Sequence, residues 1–515
     1  MRRTLCHLAA IILLAGLVQG CANGPKQAAP NAGIAAVAAA ADKAATDFVA
    51  LAAPARTSGQ EPRETDPAVK QLLDSVLDTS VLRRETATGA DLKAIAEWAH
   101  AIERVTGEYI LAGTGLTGAL DVGQIDRSPT LSARSNQNAG RFAPELGRAF
   151  DASIVLSRTS GDLLLSVRQS NPAVFQKPEV QQLMATVQRG TYAQFRASLI
   201  VLGLPAVTDD WRRARLVPLA EFAPTTAKLV PGADGGTLRQ LAIDAAQCQG
   251  NQDVRARLLS IASSFPDYSA DEAPAIRAAH TRLVQASCAA RAAAAQLWAL
   301  TRPNVGSSRA PRLSDPTEKA LLDKILNTEA AEGDFPRYDD ILPLDTWRVA
   351  VAQVYLTYIL VGLDHATLGT LEQMPQDNRV LAKVAQNAVQ YGPEFGRSVD
   401  AQLHLMQAMA EVFAARLGDD PRKFTEDQRN TFEAFRTMYG KGVLLMLQVS
   451  LQPIHGDGWR TERLAAFEAA VRRAPAILKA DDATALHNFV AEAAKTEKNP
   501  QIRARLTRLA GSFAL

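Results

Sequence analysis

Two sets of acidic and basic residues have spacings that could support chemistry on a helix. In each set a glutamate, an arginine and an aspartate follow one another at intervals of three residues, which places them along one side of a helix. The sets are Glu145, Arg148 and Asp151, and Glu394, Arg397 and Asp400. Paired carboxylates can act as general acid and base, and an arginine can bind an anionic ligand. The alternative, which we favour, is a set of structural ion pairs that fixes the start of each helix.

Two tryptophan–arginine pairs form a second group of candidates. Trp211 precedes Arg215 by one helical turn, and Trp459 precedes Arg463 in the same way. At this spacing the guanidinium can stack on the indole ring, which predicts a structural cation–π pair. The sharper alternative is a platform that binds a carbohydrate or a lipid headgroup.

Compact catalytic and metal-binding motifs are missing from the sequence. It contains no G-x-S-x-G, H-E-x-x-H or C-x-x-C motif, no phosphate-binding loop and no dinucleotide-binding glycine pattern. The one compact histidine–aspartate group, His455 and Asp457, lies in a glycine-rich stretch that predicts an exposed polar turn. We therefore predict no catalytic residue, no bound metal and no cofactor.

The first set of charged residues belongs to a stretch that occurs twice in the chain. Residues 137–152 read QNAGRFAPELGRAFDA and residues 386–401 read QNAVQYGPEFGRSVDA, with nine of sixteen positions identical. Further matches lie 249 residues apart, as for Tyr109 and Tyr358. The separation is 240 residues after an additional segment around NPAVFQKPE in the first copy, and 248 residues at the C-terminal ends of the copies. One long duplication explains this pattern, whereas a solenoid would repeat every 20–50 residues or so.

Within each copy, the apolar residues recur at helical intervals. In residues 92–110 they are spaced by three and four positions, and no long alternating stretch indicates a β-sheet. Asp66-Pro67 and Asp315-Pro316 are typical of an N-cap followed by the first helical residue. We expect an all-α protein with two tandem copies of one multi-helix domain. The predicted segments are a signal peptide, a tether, the first copy, a joint and the second copy, at 1–20, 21–33, 34–265, 266–282 and 283–515.

The N-terminus indicates export from the cytoplasm. Arg2 and Arg3 precede an apolar run from Leu8 to Val18, which is the pattern of a secretory signal peptide. The following letters, VQGC, resemble the lipobox of bacterial lipoproteins. This resemblance implies cleavage before Cys21 and acylation of that cysteine, with palmitate among the chains. With alanine as the next residue, it further implies a lipid anchor in the outer membrane, with the chain facing the periplasm.

Charge and cysteine content narrow the function further. The chain has a formal net charge of +2, and loss of Arg2 and Arg3 with the signal peptide leaves a neutral chain. A neutral chain argues against nucleic-acid binding, which requires a basic surface. Cys248 and Cys288 remain in an oxidising compartment, where they either form a disulfide or stay as two separate thiols.

These observations favour a non-enzymatic lipoprotein of the outer membrane that serves as a protein-interaction or scaffold module in the periplasm. Two related domains can double a contact surface. The N-terminal acyl chains are expected to anchor the protein in the membrane. The alternative is a helical lipoprotein that binds a lipid or glycan in a cavity lined by the helices containing YILVG and VLLMLQVSL. A hydrolase is the third hypothesis.

Overall fold

The computed structural model shows a helical protein, and the chain divides into two compact units, Met1–Asp271 and Glu272–Leu515. The division falls inside the predicted joint, and residues 274–282 are already helical. Residues are described in the ranges 30–54, 61–113, 138, 140–203, 207–230, 232–267, 273–301, 309–333, 337–362, 378–419, 426–452 and 454–513.

Unit 1 contains nine α-helices among these described residues, with short 3₁₀ turns at Gly89–Asp91 and Val174–Gln176. In chain order they are α1 Ala32–Ala52, α2 Pro67–Leu77, α3 Val81–Arg84, α4 Leu92–Leu111, α5 Ala143–Ser170, α6 Pro178–Leu202, α7 Asp209–Leu229, α8 Ala233–Gln247 and α9 Gln252–Ala262.

Unit 2 contains ten described α-helices, with 3₁₀ turns at Glu329–Ala331, Tyr338–Asp340 and Val471–Arg473. They are α10 Pro274–Thr301, α11 Pro316–Leu326, α12 Ile341–Leu360, α13 Asn378–Gln390, α14 Gly392–Asp419, α15 Glu426–Ser450, α16 Asp457–Ala470, α17 Ala474–Ile477, α18 Ala480–Thr496 and α19 Pro500–Gly511. No β-strand occurs in the described parts of either unit, which confirms the all-α prediction.

Side-chain caps determine where several helices begin. The carboxylate of Asp66 accepts hydrogen bonds from the first free backbone N–H groups of α2, and Asp315 does the same for α11. Proline follows each aspartate as the first helical residue, where its missing N–H costs nothing. Asn251 and Asn499 cap α9 and α19 in the same manner. The predicted caps at Asp66 and Asp315 are therefore confirmed.

Each unit packs its helices in a similar order. In unit 1, α1 packs on α2 and α4, α5 packs on α4 and α7, and α9 packs on α7 and α8. In unit 2, α10 packs on α11 and α12, α14 packs on α12 and α16, and α19 packs on α16 and α18. The core of each unit holds a buried tryptophan and a buried tyrosine, Trp98 and Tyr109 in unit 1, and Trp347 and Tyr358 in unit 2.

Among the described helices, none is both long and apolar enough to cross a membrane. Residues 349–360 of an apolar stretch belong to α12, whose side chains contribute to the core of unit 2.

Candidate functional site

The glutamates of the two charged sets are buried and hold the loops that precede α2 and α11. Glu145 Oε1 accepts hydrogen bonds from Arg63 Nε at 2.8 Å and from the backbone N–H of Glu64 at 3.2 Å. Glu394 Oε1 accepts from the backbone N–H of Leu313 at 2.9 Å. Because the loops cover these carboxylates, neither is placed to act on a substrate from solvent.

The arginines of the two sets reach across to another helix. Arg148 forms ion pairs with Glu64 at 3.3 Å and with Asp74 of α2 at 2.5 Å. Arg397 pairs with Asp323 of α11 at 2.8 Å. The spacing had suggested pairing with the acids on the same helix, but those acids bond to other elements. Both arginines therefore link helices, which agrees with the structural alternative and not with an anion site.

The aspartate of the first set joins the tryptophan–arginine pair of α7. Arg215 Nε donates to Asp151 Oδ1 at 2.6 Å, and a second guanidinium nitrogen bonds the other carboxylate oxygen. The guanidinium carbon lies 5.5 Å from the ring centre of Trp211, whose Nε1 donates to the carbonyl of Ala143 at 2.8 Å. A Cβ on Gly147 would lie 2.7 Å from atoms of both side chains, so glycine is required for this close approach.

Unit 2 repeats this arrangement. Arg463 pairs with Asp400 at 2.8 Å and lies 5.3 Å from the ring centre of Trp459. A Cβ on Gly396 would overlap the Arg463 guanidinium. Burial raises the pKa of Asp400 to about 6, although Arg463 acts in the opposite direction. The predicted cation–π stacking is present in both units, and in each the indole and guanidinium groups pack closely against the glycine.

His455 is buried, contrary to the exposed turn that the sequence predicts. It was expected in an exposed turn, but it is only 5% exposed and stacks on Trp459, with ring centres 4.1 Å apart and an angle of 14° between the rings. Its Nε2 has no hydrogen-bond partner within the described part of the chain. Burial lowers the pKa of the imidazole, partly offset by a hydrogen bond involving the backbone of Val449. The imidazole packs on the apolar face of the Trp459 indole, a contact that the polar composition of the turn does not indicate.

The His455→Val variant is expected to gain stability relative to the wild type at pH 5 and to differ little at pH 8. Valine removes the ionisable ring and keeps an apolar side chain against the Trp459 indole. The folded protein resists protonation of His455, whereas the unfolded chain takes up the proton near pH 6.5, and wild-type stability therefore falls with pH below that value. Urea denaturation at both pH values measures the effect. An equal gain in stability at both pH values would contradict a role for His455 protonation.

A surface groove in unit 1 combines apolar and cationic side chains. It has a volume of about 660 Å³ and lies between the C-terminal part of α5, the 3₁₀ turn Val174–Gln176, the first turns of α6 and the last turn of α7. Its lining residues are Leu165, Arg168, Gln169, Pro172, Phe175, Gln176, Gln181, Met184, Gln188 and Lys228. We call it the unit-1 groove. The turn that forms one wall lies in the segment NPAVFQKPE, after which the separation between the matching stretches changes from 249 to 240 residues.

A groove in unit 2 provides a contrast. It has a volume of about 720 Å³, lies between α10 and α11, and has no charged residue in its described lining. Leu300, Pro316 and Ala320 are among its lining residues. It therefore lacks the combination of cations and apolar surface found in unit 1.

Cys248 caps the C-terminus of α8 and Cys288 lies within α10, and a disulfide between them stays a prediction. Cys21 lies outside the described residues. Across the described ranges, no group of three or more histidine, cysteine, aspartate or glutamate side chains is arranged to hold a metal ion.

Comparison with known proteins adds little. No family model and no curated protein matches the chain. A solved structure described as a circular tandem repeat protein with novel repeat topology and enhanced subunit contact surfaces is 10% identical over 93% of this chain and 96% of that chain, with a TM-score of 0.17. Because a TM-score this low carries no structural information, the match assigns neither a fold family nor an activity.

Proposed function

We propose that the chain is an outer-membrane lipoprotein that consists of two copies of one helical domain and serves as a non-enzymatic interaction module in the periplasm. The observation that carries this proposal is a set of internal hydrogen bonds that the two units have in common. Residues 249 positions apart make the same hydrogen bonds in each unit, and the unit-1 groove is one surface at which the units differ.

The buried tyrosines make equivalent hydrogen bonds in the two units. The hydroxyl of Tyr109 donates to the carbonyl of Pro62 at 3.0 Å, and the hydroxyl of Tyr358 donates to the carbonyl of Pro311 at 3.0 Å. Two asparagines repeat the pattern at the C-termini of α4 and α12. The amide of Asn138 bridges two carbonyls at 3.0 and 3.0 Å, and that of Asn387 bridges two at 3.3 and 2.7 Å. Independent domains would not be expected to place the same bonds at one constant separation.

An interaction role follows from how the shared charges are used. In both units the repeated glutamate, arginine and aspartate are engaged in bonds between elements of the same unit. Shared residues that support the fold leave recognition to the positions at which the units differ, such as the unit-1 groove. The alternative of a lipid or glycan cavity between core helices receives less support, because Tyr358, Val443 and Leu447 are fully buried in packed core.

Replacing Cys21 with serine is expected to release the chain from the membrane fraction, because the acyl chains are the proposed anchor. Cell fractionation with immunodetection measures this distribution. Cys6→Ser is the matched control, since Cys6 lies in the segment expected to be removed, and it should leave the chain anchored. Co-sedimentation of Cys21→Ser with outer membranes to the wild-type extent would overturn the anchoring part of the proposal.

A further inference from the structure

We propose that the unit-1 groove binds a small anionic amphiphile, a molecule with a carboxylate or phosphate head and a short hydrocarbon portion. This inference does not depend on the lipid anchor, because it concerns a surface of unit 1 alone. Neither the groove nor its ligand class follows from the residues that the two units have in common.

The apolar part of the groove suits a hydrocarbon chain. Phe175 and Met184 are 7% and 8% exposed and lie at the groove surface, with Leu165 and Pro172 beside them. Covering the part of this apolar surface that still faces water favours binding of a hydrocarbon chain. Methionine adapts its shape to different apolar partners. The volume of about 660 Å³ lies in the range of small-molecule sites.

The polar part of the groove suits an anion. Arg168 of α5 and Lys228 of α7 approach from different helices, both are exposed, and no acidic side chain is among the described residues that line the groove. Four glutamines, at positions 169, 176, 181 and 188, add amide N–H donors. A guanidinium pairs with both oxygens of a carboxylate or phosphate, and an ammonium adds a compact second charge. A cationic head would be repelled by the same two residues.

Each cation also lies in the last turn of its helix, where a positive charge stabilises the helix dipole. A purely structural role would therefore change stability without changing affinity for ligands. Binding and melting must be measured on the same variants to distinguish the two roles. The additional segment around the 3₁₀ turn argues for binding, since Pro172, Phe175 and Gln176 line the groove and lie in the stretch by which the first copy is longer.

The test uses the chain from Ala22 to Leu515, which retains every described residue and avoids detergent in the assay. Isothermal titration calorimetry measures binding of decanoate and decyl phosphate, which separate a carboxylate head from a phosphate head. Decyltrimethylammonium and inorganic phosphate test the need for negative charge and for the hydrocarbon. We expect saturable binding of at least one anionic amphiphile and weaker or absent binding of the other two probes.

The Arg168→Gln/Lys228→Gln double variant should weaken binding of the anionic amphiphile by roughly tenfold or more, as expected for loss of charge-assisted hydrogen bonds. Arg255→Gln is the matched control, because Arg255 is exposed on α9 and does not line the groove. Its affinity should equal that of the wild type. The proposal is overturned if neither anionic amphiphile binds, if decyltrimethylammonium binds equally well, or if the double variant keeps its affinity, whether or not its melting temperature changes. Failure here leaves the Cys21 result unaffected.

Discussion

The Trp98→Ala variant is expected to lose about 3–5 kcal/mol of unfolding free energy, and Trp347→Ala is expected to lose a similar amount. Both indole rings are buried in the core of their units. Trp98 Nε1 donates to the carbonyl of Val76 at 2.7 Å, and Trp347 Nε1 donates to that of Ile325 at 2.8 Å. Each replacement leaves a cavity and removes a hydrogen bond at the C-terminal turn of α2 or α11. Guanidinium denaturation measures both losses.

Phenylalanine at the same positions provides the matched control. Trp98→Phe and Trp347→Phe retain most of the apolar contact but lose the N–H donor, so their losses should be smaller than those of the alanine variants. A loss below about 1 kcal/mol for either alanine variant would mean that the tryptophan is not a core residue. A large loss in one unit and none in the other would contradict equivalent roles for the two residues.

The Arg463→Ala variant is expected to be destabilised by about 1–3 kcal/mol at pH 8 and by less at pH 5. Its partner Asp400 has a pKa of about 6, raised mainly by burial and lowered by Arg463. Without the arginine this pKa rises further. At pH 8 the variant must then keep an unpaired carboxylate in a half-buried position, whereas at pH 5 the carboxyl group takes up a proton and the charge disappears. Urea denaturation at the two pH values measures the difference.

Arg397→Ala is the matched control for this pH dependence. Its partner Asp323 keeps a hydrogen bond from Lys319 at 2.6 Å, and that bond is the largest cause lowering the pKa of Asp323. Replacing Arg397 should therefore lower the free energy of unfolding by nearly the same amount at pH 8 and at pH 5. If the destabilisation in Arg463→Ala is equal at both pH values, Asp400 does not carry the unpaired charge that the geometry indicates.

The sequence predicted those features that depend on residues close together along the chain. Proline after aspartate marked the starts of α2 and α11, and the tryptophan–arginine spacing predicted the stacked pairs. Gly147 and Gly396 lie inside helices, and the indole and guanidinium groups of a neighbouring helix occupy the space that a Cβ would fill. Each of these features follows from local backbone geometry or from a spacing of one turn.

Features that depend on how helices rotate against one another were not predictable in the same way. Arg148 and Asp74 are far apart in sequence, and spacing on α5 alone gave no information about α2. The repeat did hold a signal, because Asp74 recurs as Asp323 within two matching stretches. His455 was placed wrongly because a polar, glycine-rich composition does not reveal an indole face nearby. The unit-1 groove combines three helices and a turn, so no single stretch indicates it.

An experimentally determined structure of the full chain tests the proposal of two copies of one domain most directly. Superposition of residues 61–113 on residues 310–362 should place Tyr109 on Tyr358 and Trp98 on Trp347, with their hydroxyl and indole hydrogen bonds made to corresponding carbonyls. The helices that follow should align in the same order, with Arg215 on Arg463. Tyr109 and Tyr358 in unlike surroundings, or helices connected in a different order, would contradict the duplication and the interaction module built on it.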